Sequence, residues 1–302
     1  MQNSEELTLK ELISILWSRK LAILVVLLIS GLGSIFYSLS LPNLYTSHAL
    51  LISADSENNS KGLINQYSSL ATLGGISLNN NSRDRTIEAL ARIESFEFFL
   101  SIFIPSIYYP NLVAVKEWEP SDNSFIYNKN ISKEPSKTPQ SFDISLSSYQ
   151  EAHKIFNKLL SIDSNDKTGL IKISITHHSP YIAKEWLEKI ILGINESMRN
   201  EDRIKASTAV EFLNTQASQT NYDGIKQVLL SLQQEQMKSL MLIEANEDYI
   251  FRVLDSPVAP EKKSGPRRSI IVILSMIFAS IVSVIFGLAS FYIKENYKTL
   301  NS

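Results

Sequence analysis

The sequence predicts an α+β membrane protein, in which two transmembrane helices flank a periplasmic α/β base domain with a long helical hairpin extension. Three observations lead to this class. Two long stretches without charge bracket the central region, and that region mixes strand-like and helix-like patterns of apolar residues. Within it, one proline-free stretch is too long for an ordinary helix of a compact core.

The two uncharged stretches are residues 21–39 and 269–293, and each predicts a transmembrane helix. At about 1.5 Å rise per residue the second would be roughly 37 Å long, and the apolar core of a bilayer is about 30 Å thick. The first stretch is longer than the apolar region of a signal peptide, which has about 7–15 residues. We therefore expect an uncleaved anchor there, with a cleaved signal peptide as the alternative.

The charges beside the two spans suggest their orientation. Two spans place both chain ends on one side, and Arg19 and Lys20 directly precede the first span. Positive charge next to a span favours the cytoplasm, although the other flanking charges are nearly balanced. We expect residues 1–20 and 294–302 in the cytoplasm, and residues 40–268 in the periplasm of a multi-pass protein of the bacterial inner membrane.

The base domain is expected from residues 40–180 and 246–256. Apolar residues near period two predict a strand after the first span, at Leu44, Thr46, Leu50 and Ile52. Residues 170–175 predict another strand with a largely buried face.

Two helices are expected in the same domain. Residues 83–104 have helical spacing and should end at Pro105, and residues 148–160 predict a second helix. Residues 108–141 mix proline, serine, asparagine and lysine, which is typical of loops and ragged strand.

A long helical arm is expected from residues 181–245. Residues 181–219 contain no proline, and one unbroken helix of that length would extend roughly 58 Å. A turn signal at 221–224 separates it from a second helical pattern. The pair is too long for a compact core and predicts an antiparallel hairpin or coiled coil.

Residues 257–268 form a proline-rich strap before the second span. Pro257, Pro260 and Pro266 favour stiff, extended backbone and should fix the angle between the base domain and the span. Arg267 and Arg268 should lie at the level of lipid headgroups and could pair with phosphates. The alternative is that the two arginines only end the span.

Small side chains recur every four residues in both spans. They are Ser30, Ser34 and Ser38 in the first span, and Ser275, Ala279, Ser283 and Gly287 in the second. Such faces let helix backbones approach closely in lipid. We expect them to pack the two spans of one protomer or neighbouring protomers, or to dock a partner. The alternative is chance, since small residues are common in membrane helices.

The sequence gives no pattern for catalysis. It contains no cysteine and only four histidines, and the adjacent pair His177 and His178 should point in opposite directions at the end of a strand. It has no phosphate-binding loop and no G-x-S-x-G elbow. We expect no catalytic residues, cofactor or metal, and hence no enzyme. The near-neutral net charge of −2 argues against a nucleic-acid partner.

Three segments together resemble a known family. In chain order they read YTSHALLI, then TGLIKISITHHSPYIAKEWLEKIILGIN, then DSPVAPEKKSGPRRSIIVILS. With two spans around one domain, they resemble the chain-length determinant family, the Wzz-type bacterial polysaccharide co-polymerases. The resemblance covers essentially the whole chain. It departs at Lys262-Lys263-Ser264, where members often carry another proline, and residues 108–141 match nothing in the family pattern.

The resemblance implies a non-enzymatic regulator of lipopolysaccharide O-antigen length, or of a related surface polysaccharide. It also implies a homo-oligomeric ring, a membrane polysaccharide polymerase as partner, and contact with lipid-linked polysaccharide. Polysaccharide or neighbour contacts are expected on polar faces of the arm, for example Arg199, Arg203 and Lys205, with a solvated charged face as the alternative. A second interpretation is a two-span periplasmic sensor or adaptor, for which residues 294–302 leave no room for an output module.

Overall fold

The computed structural model describes residues 20–54, 81–128, 146–165, 167–246 and 248–300. For residues 22, 81–84, 146 and 287–300 only the helical backbone is described. The chain forms two compact units, one from Met1–Asn43 with Lys263–Ser302 and the other from Leu44–Lys262. Most of the predicted segment 1–20 lies outside the described residues.

The helices and strands follow one another along both units. In chain order they are α1 Lys20–Ser40, β1 Tyr45–Ser53, α2 Asn81–Glu94, α3 Phe96–Phe98, a π-helical segment Phe99–Phe103, α4 Ile104–Ser106, α5 Tyr109–Val113, β2 Val115–Glu119, β3 Ser124–Tyr127, α6 Leu146–Leu159, β4 Leu160–Asn165, β5 Leu170–His177, α7 Pro180–Gln219, α8 Asp223–Ala245, β6 Phe251–Asp255 and α9 Arg268–Leu300.

The first unit is a pair of apolar helices, α1 and α9. Each is long and apolar enough to cross a membrane, over Ile23–Ser40 and Arg268–Phe286, and each of these windows is only 11% buried. Large side chains face outwards, with Phe36 75% and Phe278 69% exposed. The prediction of a mixed helix and sheet protein with two terminal apolar helices is confirmed, and its placement in a membrane stays a prediction.

The second unit is built on a four-stranded antiparallel sheet with the strand order β4-β5-β1-β6. Its buried face carries Ala49 and Leu51 of β1 and Ile173 and Ile175 of β5. The strand predicted here is present as β1, and the residues that predicted it lie on its other face, where Leu50 is only half-buried. The buried face of this strand instead uses small side chains such as Ala49, which leave room for the helix that packs there.

The first half of α7 covers the buried face of the sheet. Trp186, Leu187, Ile190 and Ile194 are almost completely buried and join the core cluster with the strands. At roughly 25 cal/mol per Å² of buried apolar area, such side chains supply much of the stability of this unit.

Three local predictions need correction. The expected helix 83–104 breaks at Ser95, whose hydroxyl accepts a hydrogen bond from the Phe98 backbone N–H and caps a new helix. The region 108–141 contains a helix and the hairpin β2–β3, and residues 129–141 lie outside the described part of the chain. The strand β4 was not predicted, because its residues follow α6 without a turn signal.

The arm consists of the second half of α7 and the returning helix α8. The side of α8 that faces α7 is marked by half-buried or buried residues at three- and four-residue steps: Leu229, Gln233, Gln236, Leu240 and Ile243. On α7 the small residues Ala206 and Ala217 are 5% and 3% exposed. Spacing of three and four residues is typical of the seam of a coiled coil, and the two alanines allow close approach of the helices.

Candidate functional site

Three features are candidates for function: the packed faces of the apolar helices, the proline-rich strap, and the charged root of the arm. Among the residues that the structure describes, no group of three or more His, Cys, Asp or Glu side chains could hold a metal ion.

His177 is part of the fold of the base unit. Its Nδ1 accepts a hydrogen bond from the Ser179 backbone N–H at 3.0 Å, so its Nε2 carries the proton and donates to the Asn111 carbonyl at 3.0 Å. Burial lowers the pKa of His177 to about 4. The ring also packs against Trp186, with centroids 4.8 Å apart. These contacts give the histidine at the end of β5 a role in the fold.

The small residues of the first unit lie between its two helices. Ser34 and Ser38 of α1 are 9% and 1% exposed, and Ala279 and Ser283 of α9 are 7% and 6% exposed. Ser30 and Ser275 are half-buried, and Gly287 lies in the part of α9 where only the backbone is described.

Gly31 also belongs to this face, and the four-residue spacing missed it. It is buried, and a Cβ added there would lie 3.0 Å from Met276 Cε. The buried positions Gly31, Ser34 and Ser38 follow steps of three and four, so a heptad pattern would have found it.

The serine hydroxyls do not join the two helices. Ser34 Oγ donates to the Gly31 carbonyl at 2.8 Å and Ser283 Oγ donates to the Ser280 carbonyl at 2.9 Å, each within its own helix. The faces therefore act through small size and close packing rather than through hydrogen bonds between helices.

The strap is divided between the two units. Pro257 is buried and Pro260 half-buried in the second unit, where Ser47 Oγ donates to the Val258 carbonyl at 2.8 Å. Pro266 is half-buried in the first unit and follows Gly265 through a cis peptide bond. The hydrogen bond at Val258 holds the first part of the strap beside β1.

The two arginines of the strap differ in their surroundings. Arg268 is half-buried, and its guanidinium donates to Asn43 Oδ1 at 3.3 Å and to the Leu41 carbonyl at 3.5 Å, just past the end of α1. A cation there is also favoured by the negative end of the helix dipole. Arg267 is exposed. Arg267 is therefore the better candidate for a phosphate contact.

A network of side chains joins the root of the arm to α2. Arg85 of α2 pairs with Asp202 of α7, and the Tyr249 hydroxyl donates to the same carboxylate at 2.6 Å. Arg92 pairs with Glu201 at 2.5 Å, and Lys205 pairs with Glu201 at 2.6 Å. Hydrogen bonds from Lys205 and Arg92 lower the pKa of Glu201. The two pairs between α2 and α7 could not be predicted from local spacing, because these helices lie far apart in the chain, whereas Glu201 and Lys205 are four residues apart on α7.

The three basic residues predicted to face ligand or neighbours have partners within the chain. Arg199 donates to the Asn246 carbonyl at 2.7 Å and lies 5.8 Å from the centre of the Tyr249 ring. Arg203 pairs with Glu244 of α8 at 3.0 Å, and Lys205 pairs with Glu201. They hold the two arm helices and their root, and a contact with polysaccharide stays a prediction.

A groove of about 490 Å³ lies beside this network, lined by residues that include Glu88, Arg92, Ser101, Ile102 and Glu201. Arg92 bonds to both Glu88 and Glu201, and Ser101 Oγ donates to the Glu97 carbonyl. Three of its charged groups, Arg92, Glu88 and Glu201, are thus bonded to one another.

A family model matches the N-terminal part of the chain. Residues 5–93 match the family model described as Wzz, chain length determinant protein. This match confirms the resemblance to the chain length determinant family. No curated protein sequence matches the chain.

Solved structures of polysaccharide co-polymerases are also similar. A full-length bacterial polysaccharide co-polymerase is 13% identical with a TM-score of 0.41, and the match covers 95% of this chain and 99% of that one. A fragment of WzzB, the polysaccharide co-polymerase from Salmonella Typhimurium, is 14% identical with a TM-score of 0.33, covering 74% of this chain and all of the fragment.

Proposed function

We propose that this chain regulates the length of a surface polysaccharide, either lipopolysaccharide O-antigen or a related polymer. It acts without catalysis, as an oligomeric co-polymerase beside the membrane polysaccharide polymerase. The observation that carries the proposal is the match of residues 5–93 to the chain length determinant model. The base unit and arm between two apolar helices are compatible with it.

The direct test is the length distribution of surface polysaccharide in a strain that lacks the gene. Loss of the protein should replace a cluster of preferred lengths by a distribution without a mode, and the wild-type gene should restore the cluster. An unchanged ladder on a gel would reject chain-length regulation and favour a sensor or adaptor.

We infer that α1 and α9 span the bacterial inner membrane and that the second unit lies in the periplasm. The support is the length and apolar composition of both helices. A reporter fused after Ser302 should report cytoplasm, and one inserted within residues 122–137 should report periplasm. The reverse pattern would overturn this topology.

Assembly into a ring is supported by the exposed apolar residues of α8. At about 100° per residue they fall on both sides of the seam with α7. One flank carries Ile225, Val228 and Leu232, and the other Leu230, Met237 and Met241, and all six are at least 43% exposed. A twofold dimer uses the same patch twice, whereas two different patches suit head-to-tail contacts with a copy on each side.

The ring can be tested on each flank separately. Val228→Lys and Met237→Lys should each reduce the mass of the particle in mild detergent, since either change places a charge in a contact between copies. Gln227→Lys, on the exposed face opposite the seam, is the matched control and should leave the assembly intact. Unchanged particles in both flank variants would remove α8 from the interface.

A further inference from the structure

Three aromatic side chains meet at one edge of the base unit. The Trp118 ring of β2 lies 5.5 Å from the ring of Tyr45 at the start of β1, edge to face, and 6.1 Å from the ring of Tyr181 at the start of α7. Tyr181 is 57% exposed, and Tyr45 and Trp118 are partly exposed. We call these three residues the aromatic patch.

One hydrogen bond and the pairing of β1 with β5 show where the aromatic patch lies in the base unit. Trp118 Nε1 donates to Asn123 Oδ1 at 2.7 Å across the β2–β3 hairpin, which holds the indole in position. Tyr45 pairs with His177 in the sheet, so the patch lies at the end where β1 begins and β5 ends. The exposed side chain of Val258, 57% accessible, belongs to the strap segment that Ser47 holds beside this end of β1.

We propose that the aromatic patch rests on the lipid headgroup region of the membrane, beside the point where the chain leaves α1. This inference rests on the proposed membrane placement. Tyrosine and tryptophan favour that region because each has an apolar body and a polar tip. Tyr45 lies five residues beyond Ser40, the end of α1, so an extended chain keeps it within about 18 Å of the helix.

The charges near the patch define the kind of lipid surface. The exposed side chains beside Trp118 on β2 are Lys116, Glu117 and Glu119, which together carry no positive excess. The charges of β2 therefore give no attraction to anionic lipid, and in this proposal the aromatic rings supply the contact. The patch should engage a zwitterionic surface as well as an anionic one, with little dependence on salt.

The contact would have a mechanical consequence. A base unit that touches the membrane at Tyr45, Trp118 and Tyr181 is held at two places, by its covalent connections to the apolar helices and by the patch. The helix α7, which begins beside Tyr181 and continues into the arm, would then be held at its first turn during polymer growth.

The absence of cysteine allows a direct test with single spin labels. The full chain is placed in nanodiscs of phosphatidylcholine alone, with Tyr181→Cys, Ile277→Cys or Tyr222→Cys labelled by a nitroxide. Ile277, in α9, is 52% exposed, and Tyr222, at the far end of the arm, is 73% exposed. Accessibility to oxygen relative to a water-soluble nickel chelate then reports the depth of each label.

We expect the oxygen-to-nickel ratio to be highest at position 277, and several-fold higher at 181 than at 222. A lipid-like ratio at 277 with equal ratios at 181 and 222 would overturn the patch while leaving the proposed membrane placement intact. Equal ratios at all three positions, each typical of a label in water, would overturn both the patch and the proposed membrane placement. Shielding of position 181 only after purified surface polysaccharide is added would also overturn the inference, and would make the patch a carbohydrate site.

A second measurement keeps the native tyrosine in place. In a Trp17→Phe background, lipids brominated near the headgroup should quench fluorescence of the protein with Trp118 more strongly than that of Trp118→Phe, because the one tryptophan then common to both, Trp186, is buried in the core. Equal quenching of the two proteins would contradict the contact.

Discussion

Asn195 joins the long helix α7 to β6, the edge strand of the sheet. Its Oδ1 accepts from the backbone N–H groups of Ile250 and Phe251 at 3.1 and 2.9 Å, and its Nδ2 donates to the Phe251 carbonyl at 3.0 Å. The amide therefore satisfies three backbone groups at the point where the chain returns from the arm. These hydrogen bonds explain why a polar residue, Asn195, is buried on an otherwise apolar face of α7.

Replacing this amide should destabilise the base unit. Asn195→Ala leaves buried backbone groups without partners, each at a cost of about 1–3 kcal/mol, so we expect a loss of about 3 kcal/mol. Urea unfolding of the purified protein in detergent measures it, with exposed Asn214→Ala on the same helix as the control. Equal unfolding midpoints for the two variants would show that these bonds contribute nothing.

His177 makes the stability of the base unit depend on pH. Its pKa is about 4 in the folded chain, below its ordinary value of 6.5, because burial disfavours the charged ring. Between those values the unfolded chain binds more protons, so stability present above pH 6.5 is lost as the pH falls towards 4. The slope of unfolding free energy against pH over this range should flatten in His177→Gln and persist in the exposed control His48→Gln. A slope that is unchanged in His177→Gln would assign the pH dependence to other groups.

At the scale of elements, the strap is the connection on which the proposed mechanism depends most. Pro257, Pro260 and Pro266 restrict the backbone between β6 and α9, and alanine at all three would release that restriction. We expect the triple variant to insert normally and to give shorter or scattered polysaccharide. The gel ladder measures this outcome, and a wild-type ladder would remove the strap from the mechanism.

The packed face of α9 allows a separate test. Ala279→Leu with Gly287→Leu adds bulk to the small-residue face, so we expect insertion to persist while assembly in mild detergent weakens or the modal length changes. Leucine at the exposed Ile277 is the control, since it changes shape on the outer side only. A double variant that assembles and regulates like the parent would show that this packed face is not needed for assembly or for control of chain length.

The elements that the sequence predicted well are those with a long, regular pattern. The proline-free stretch 181–219 forms α7, Pro180–Gln219, and the alternating residues 170–175 lie in β5. The errors arose where tertiary contacts override the local pattern. Met241 and Val228 are 66% and 57% exposed while Gln233 and Gln236 face α7, so apolar residues alone did not define the seam.

The candidate site was only partly predictable for the same reason. Four-residue spacing found Ser34, Ser38, Ala279 and Ser283, but Gly31 follows a different step. The pairs that hold the root of the arm join residues more than a hundred positions apart, such as Arg85 and Asp202. Composition and periodicity carry no information about such distant partners.

At the scale of the whole molecule, the two units have separate proposed tasks. The apolar helix pair would hold the protein in the membrane, and the base unit would present the arm to neighbouring copies and to the growing polymer. The basic residues of the arm that were expected to contact polysaccharide are engaged within the chain, since Arg203 pairs with Glu244 and Lys205 with Glu201. We therefore expect regulation to depend on assembly of the protein, and less on binding of sugar by these basic side chains.

The proposed function requires this protein to change the length distribution of a polymer that a separate polymerase makes. The most direct measurement uses membrane vesicles that contain the polymerase and lipid-linked repeat units, with and without this protein, and compares the polymer lengths on a gel. With the protein present we expect a cluster around a preferred length, and without it a steady fall in abundance with length. Identical distributions in the two vesicle preparations, with the protein shown to be inserted, would contradict the account.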